Sequence, residues 1–447
     1  MIAAALIKSY FFVAVLQNLC CQNATDEWSI CSGKSADQSI IACTTIIKRN
    51  TATPQALADA YFNRAVSFSD NDRNDEALED YTQAIALDPT VSKTYNNRGN
   101  IYERRGLYDL AISDYNLAIK FDPLSARAYS NRGYAYDDKK EFDKAIADYD
   151  KAIALKNDEP SYYNDRGFVY FEKDRYKEAI ENYDEALKLD AENKVALRYR
   201  GDAYQELERD QDAVNDYTRA ITYDPDYTVA HVHRGDVYNR LDALELAMAD
   251  FNKAIELDPK SATAFKGRGD TYNYKGQPEK AIADYDKALE LDPEYGVAYR
   301  KRGEIYLDQQ KLNRAIDDFN HAITLLPESA ISYNDRGYAW FLSGVDANAF
   351  ADLNQAIKID PKYAEAYSSR GDVYFYGKKF KEALRDYDKA IKLDNQTASA
   401  HVGKAEILEQ QKKLKQAQSE FSAALKMTKS PSLIKRINEG LRRVKGV

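Results

Sequence analysis

Four cysteines, four histidines and one Gly-Lys-Ser tripeptide are the residues of this chain whose types could do chemistry. Their spacing argues against catalysis and against metal binding. Cys20, Cys21, Cys31 and Cys43 all fall within the first 43 of 447 residues and form no CxxC or Cys/His pattern of the kind zinc requires. In an oxidising compartment Cys31 and Cys43 can pair across SGKSADQSIIA and staple a small cap; two unrelated buried thiols are the alternative. His231 and His233 stand two apart on a predicted helix, where side chains do not share a face, so they are not expected to share a metal. Gly33-Lys34-Ser35 would suggest a phosphate loop, but Trp28 occupies the position where that motif needs its first glycine. A nucleophile elbow, an HExxH helix and a glycine-rich nucleotide loop are all missing from the sequence. No catalytic residue, metal or cofactor is therefore expected, and the chain reads as a non-enzyme.

Composition narrows the partners. Net charge is -9 with a pI near 5.3, which disfavours nucleic acid, since phosphate binding calls for a basic footprint. Residues 1–22 carry one charge, Lys8, ahead of an apolar run from Tyr10 to Leu16, and polar sequence starts at Gln22. This reads as a signal peptide and implies a periplasmic or secreted bacterial protein. An uncleaved membrane anchor is the alternative, with Lys8 then inside a span barely long enough to cross a bilayer.

The elements that must position everything else are set by a 34-residue period. Arg-Gly recurs with Gly99, Gly133, Gly167, Gly201, Gly235, Gly269, Gly303, Gly337 and Gly371 each 34 apart, and the frame extends outward to Ala65 and Ala405. With residue 58 as position 1, eleven units fill 58–431. Positions 20 and 27 are Ala in every unit, for example Ala111 and Ala118. Position 8 is Gly or Ala, as at Gly99, and large rings fill positions 4, 11 and 24, as at Tyr95, Tyr102 and Tyr115. His231 and His401 take ring position 4 and read as packing residues. These spacings turn one face of each of two helices inward, small residues against rings. Units usually close with Asp-Pro, where proline ends the second helix.

Positions 4, 8, 11, 20, 24, 27 and 32 together resemble the tetratricopeptide repeat, with Tyr mostly in place of its Trp, over residues 58–431. The resemblance implies an all-α solenoid: antiparallel helix pairs stacked in a right-handed superhelix, the first helix of each repeat lining a concave wall that holds peptides or protein surfaces. Residues 23–57, with Trp28–Cys31 and Ser39–Ile47, resemble the N-terminal two-cysteine cap of secreted bacterial proteins of this kind. Leu433, Ile437, Leu441 and Val444 form an apolar stripe within 432–447, expected to be a capping helix that closes the stack; a basic membrane-touching helix is the alternative.

Three features are candidates for specificity. Arg occupies position 7 in ten units, among them Arg98, opposite an acid at position 23; a structural ladder between helices is the main reading, a rail for an anionic polymer the other. In the family geometry position 9 faces the groove, and there Asp236, Asp372 and Glu406 lack a basic residue four positions earlier, which points to an acidic groove for a basic ligand or to a merely solvated face. Aromatic residues at positions 9, 12 and 13 form two groups, Tyr134, Phe168 and Phe171, and Tyr338, Phe341, Phe375 and Tyr376, which are either contact rings for a bound segment or ordinary repeat residues. The expected function is a scaffold or adaptor gripping a protein or peptide of unknown identity. Binding of a cell-envelope carbohydrate or anionic polymer is the alternative.

Overall fold

The structure, a computed structural model, describes residues 27–33 and 35–445; the expected signal segment, Cys20, Cys21 and Lys34 lie outside the described residues. Among the described residues all regular structure is helical. Two compact units divide the chain, Met1–Pro225 and Asp226–Val447.

In the first unit a lone helix, Ala36–Arg49, precedes five helix pairs, Pro54–Asp70 with Asn74–Leu87, Ser92–Arg104 with Tyr108–Phe121, Ala126–Asp138 with Phe142–Leu155, Pro160–Glu172 with Tyr176–Leu189, and Lys194–Glu206 with Asp210–Tyr223. The second unit holds six pairs from Thr228–Arg240 with Leu244–Leu257 to Ala398–Gln410 with Leu414–Met427, and then a final helix, Pro431–Lys445. Within each unit every first helix packs on its own second helix, and that second helix on the first helix that follows it. The first pair starts at Pro54, ahead of the frame at residue 58, because Thr53 accepts from the Ala56 N–H and proline fits the first helical turn.

Two local devices make the period hold. Position 15 sits in the left-handed region in every repeat: Gly106, Gly276 and Gly344 supply it, but so do Asp72, Lys140, Asp174, Glu208, Asp242, Gln310, Lys378 and Lys412. The next N–H then closes back onto the carbonyl at position 11, as from Leu107 to Tyr102, which ends the first helix with its carbonyls satisfied. At the other end of the repeat, the aspartate before proline accepts the N–H two residues on, as Asp88 does from Thr90 and Asp258 from Lys260. Asp190 and Asp394 form the same turn with no proline after them, so the carboxylate suffices.

Ala111, Ala118 and Tyr115 are fully buried, and the corresponding rings Tyr149, Tyr183, Tyr217, Phe251, Tyr285, Phe319, Tyr387 and Phe421 are equally enclosed. A Cβ on Gly99 would come within 2.7 Å of the Tyr115 ring, which is why position 8 has no side chain there. Tyr102 packs on the same cluster. In the final helix Leu433, Ile437, Leu441 and Val444 cover Val402 and Phe421. Arg436 and Arg443 turn back onto Glu406 and Glu409, so the apolar stripe and two of the helix's five basic residues are engaged within the fold. No helix among the described residues is long and apolar enough to cross a membrane. In the N-terminal segment the Cys31 and Cys43 sulfurs lie 2.08 Å apart, and Ser39 donates to the Cys31 carbonyl at 2.7 Å.

Candidate functional site

The arginine at position 7 is committed to the fold. Arg98 donates from Nε and Nη2 to the two oxygens of Asp114, both at 2.8 Å, while Nη1 reaches Thr82 on the second helix of the preceding repeat at 3.2 Å. Rings at positions 4 and 11 flank it, with Tyr95 and Tyr102 both 5.9 Å from the guanidinium. Arg132 repeats the pattern with Asp148 and Asn116, Arg302 with Asp318 and Asp286, and Arg370 with Asp386 and Asn354. Arg166 meets Asn182 in place of the acid and pairs with Asp150 instead. One planar fork thus ties three helices, a geometry lysine cannot reproduce. The bidentate hydrogen bond and charge of Asp114 raise the Arg98 pKa further above its ordinary value, outweighing the opposing effect of burial. The position 25 partners, all Thr, Asn or Asp, went unrecognised in the sequence reading; their shared signal is a short polar residue sixteen before each arginine. Three of the five Arg98 N–H donors are thus held within the fold.

On the opposite edge of the first helices, positions 6, 9, 12 and 13 line a series of concavities. Val66, Ser69, Asn100 and Glu103 contribute to one in repeats one to three; Tyr134, Asp137, Asp165 and Phe168 to a second in repeats three to five; Phe375, Tyr376, Glu406 and Glu409 to a third in repeats ten and eleven.

The aromatic candidates distribute unevenly among these. Tyr134 is 46% exposed and borders the second concavity with Phe168, whose ring meets Tyr199 edge-on at 5.2 Å. Phe171 turns away and packs on Tyr176 at 5.4 Å, so the expected trio is in fact Tyr134, Phe168 and Tyr199. In the second unit all four rings join: Tyr338 to Phe341 at 5.9 Å, Phe341 to Tyr376 at 5.4 Å and Tyr376 to Phe375 at 5.2 Å, with Tyr376 60% exposed.

The acidic candidates need correction. Asp372 is buried and accepts the Tyr387 hydroxyl at 2.7 Å; burial pushes its pKa up to about 6. Tyr217 and Tyr285 donate to Asp202 and Asp270 in the same way, so position 9 aspartate is the acceptor where position 24 is tyrosine. Glu406 holds Arg436 at 2.7 and 2.5 Å. Asp236 lies 3.8 Å from Lys266, which also meets Asp270 at 3.2 Å. These acids lacked partners one turn away but find them on neighbouring helices.

Spacing did not single out Asp137 and Asp165, which border the second concavity and form no ion pair among the described residues, although the nearby Lys140 charge partly offsets burial at Asp137. Asp137 is 7% exposed and its Oδ1 is buried with no hydrogen-bond partner; burial pushes its carboxyl up to about 6. Asp165 is pushed up to about 7, first by burial and then by the charge of Asp137. Asn164 Oδ1, beside them in the same concavity, is likewise unpartnered.

Comparison with known proteins agrees with this architecture. Models described as tetratricopeptide repeat match residues 58–91, 92–123, 126–158, 160–193, 200–262 and 262–295, and one described as TPR repeat matches 341–376 and 371–412. No curated protein matches the chain in sequence. Among solved structures, YrrB, "a TPR protein with an unusual peptide-binding site", is 31% identical over 41% of this chain and 95% of its own, with a TM-score of 0.35. Cut9–Hcn1, the APC/C hetero-tetramer, is 13% identical over 91% and 93%, with a TM-score of 0.50. Yeast Tom70 is 16% identical over 87% and 96%, with a TM-score of 0.42.

Proposed function

Because the chain belongs to the tetratricopeptide repeat family, we propose that it is a non-enzymatic scaffold holding a segment of a partner protein along the row of first-helix side chains. The observation that carries this reading is positional. The ladder and alanine–ring positions are consumed in packing, whereas positions 6, 9, 12 and 13 vary between repeats and line concavities edged by exposed rings such as Tyr134 and Tyr376. Exposed aromatic side chains beside well-packed walls are what interfaces use as anchors. A photo-crosslinking residue at Phe168 or at Phe375 is expected to capture protein in cells, while one at exposed Leu124 captures none. Capture at Leu124 with neither groove site labelled ends the proposal.

The same reading extends to the front of the chain. Residues 1–22 export the protein to the periplasm or beyond, and Cys31 is bonded to Cys43, holding the short helical stretch at 27–31 against Ala36–Arg49. Intact mass of the mature protein, before and after thiol alkylation without reductant, checks both: alkylation of the two cysteines, or retention of residues 1–22, removes this part.

A further inference from the structure

Groove acids elsewhere in this protein show how the fold satisfies them. In several repeats position 5 of the first helix carries the cation, as Arg198 does for Asp202. Lys266 sits between Asp236 and Asp270, and Arg300 binds Glu304 and lies 3.8 Å from Asp335. At the end of the array Arg436 holds Glu406 on the same face as Asp372. In repeat three, position 5 is Ser130, and the acids it would serve, Asp137 and Asp165, form no ion pair among the described residues. Lys140 stands at the rim of the same concavity, but its ammonium faces Glu172 at 3.5 Å. The cleft has a volume of about 340 Å³, and its walls include the rings of Tyr134, Phe168 and Tyr199 together with Val195 and a third acid, Asp138.

We propose that this cleft receives a lysine or arginine side chain of the partner segment, its aliphatic stem against Phe168 and Tyr199 and its charged head on Asp137 and Asp165. This rests on the groove reading above and names the chemistry of what binds there: a segment with one basic residue among apolar neighbours. A buried carboxylate oxygen with no donor is costly to leave, so a cation that supplies donors gains from both charge and hydrogen bonds. Aromatic walls suit the same occupant, because alkyl stems pack on ring faces and cations are attracted to them.

The test is selection from a displayed library of random nonapeptides on the full-length protein, on Asp137→Asn/Asp165→Asn, and on Asp109→Asn/Asp143→Asn, which removes the same formal charge from exposed positions. Circular dichroism confirms that all three fold. Peptides retained by the wild type are expected to be enriched in Lys or Arg at one position and to bind at least about tenfold more weakly when that residue is changed to Gln, equivalent to about 1.4 kcal/mol. The Asp137/Asp165 variant is expected to lose this discrimination, and the Asp109/Asp143 variant to keep it. Peptides that bind the groove with no basic preference, or a preference that survives loss of Asp137 and Asp165, overturn the inference while leaving the groove reading standing. No retained peptide competing for the groove overturns both. Exchange of the selected residue between Lys and Arg then distinguishes which head group the cleft prefers.

Discussion

Repeats four and nine carry the same five residues, Tyr-Asn-Asp-Arg-Gly, at 163–167 and 333–337, yet their aspartates end in different electrostatic settings. In both, the aspartate at position 6 is pushed up to about 7, chiefly by burial, and an asparagine oxygen beside it has no hydrogen-bond partner. In the second unit Arg300 reaches toward Asp335 from the preceding repeat and binds Glu304. In the first unit the residue in Arg300's place is Ser130, and the second acid, Asp137, adds to the charge instead of offsetting it. The sequence of a repeat therefore does not determine which charges its groove aspartate meets; position 5 of the repeat before it contributes one. Asp335 thus has a guanidinium 3.8 Å away, whereas Asp165 has a second carboxyl as its charged neighbour.

The comparison breaks most visibly if Arg300 is removed. Arg300→Ala removes the cation near Asp335 and leaves Glu304 only Lys301, and a partly buried charge left unpaired is expected to cost about 3 kcal/mol, read as a fall in urea midpoint. Ser130→Ala, the matching change in the first unit, is expected to alter the midpoint by less than a quarter of that. Equal losses would mean Arg300 is not the difference between the sites.

Asp137→Asn is expected to stabilise the protein by up to about 3 kcal/mol at pH 8, since a two-unit rise in pKa corresponds to roughly that much unfavourable ionisation. The folded carboxyl titrates near 6 and the unfolded one near 4, so the native state binds the proton more tightly. Its ionisation therefore costs stability progressively as pH rises from 4 to 6, and by the full amount above that. The gain from Asn should accordingly appear across that window and vanish below pH 4. A gain that is flat with pH would remove the charge explanation.

Ser130→Arg sharpens the comparison from the other side, by building the second unit's solution into the first. Peptides selected for a basic residue are expected to lose at least about tenfold in affinity, or about 1.4 kcal/mol, while the helical content stays the same. Retained affinity would show that the planted arginine does not occupy the cleft.

The smallest effects concern the buried tyrosines at position 24. The Tyr183 hydroxyl is buried without a partner because position 9 in its repeat is Phe168, whereas Tyr387 donates to Asp372. Tyr387→Phe is expected to cost about 1–2 kcal/mol for a charge-assisted hydrogen bond, and Tyr183→Phe close to nothing. Comparable losses in thermal unfolding would contradict the difference drawn between the two positions.

Much of this protein was legible from one interval. A 34-residue spacing of Gly, Ala and ring positions specifies two amphipathic helices per unit, since only small residues against rings let helices approach that closely, and the Arg98 and Tyr115 environments follow directly. Reading along a single helix failed where contacts run between repeats. Asp372 and Glu406 looked unpartnered because the search stopped one turn away, while their partners stand fifteen and thirty residues on. Phe171 fell into a cluster by spacing and left it because Tyr176, across a tight turn, offers a nearer ring.

Sequence alone thus determined the repeat, the helix pairs and the Arg–Asp ladder, because those depend on residue size and charge at fixed separations within about one repeat length. Tertiary structure alone decided which acids remain uncompensated. Ser130 and Asp165 are separated by 35 residues, and only stacking one helix pair on the next brings their positions onto the same surface.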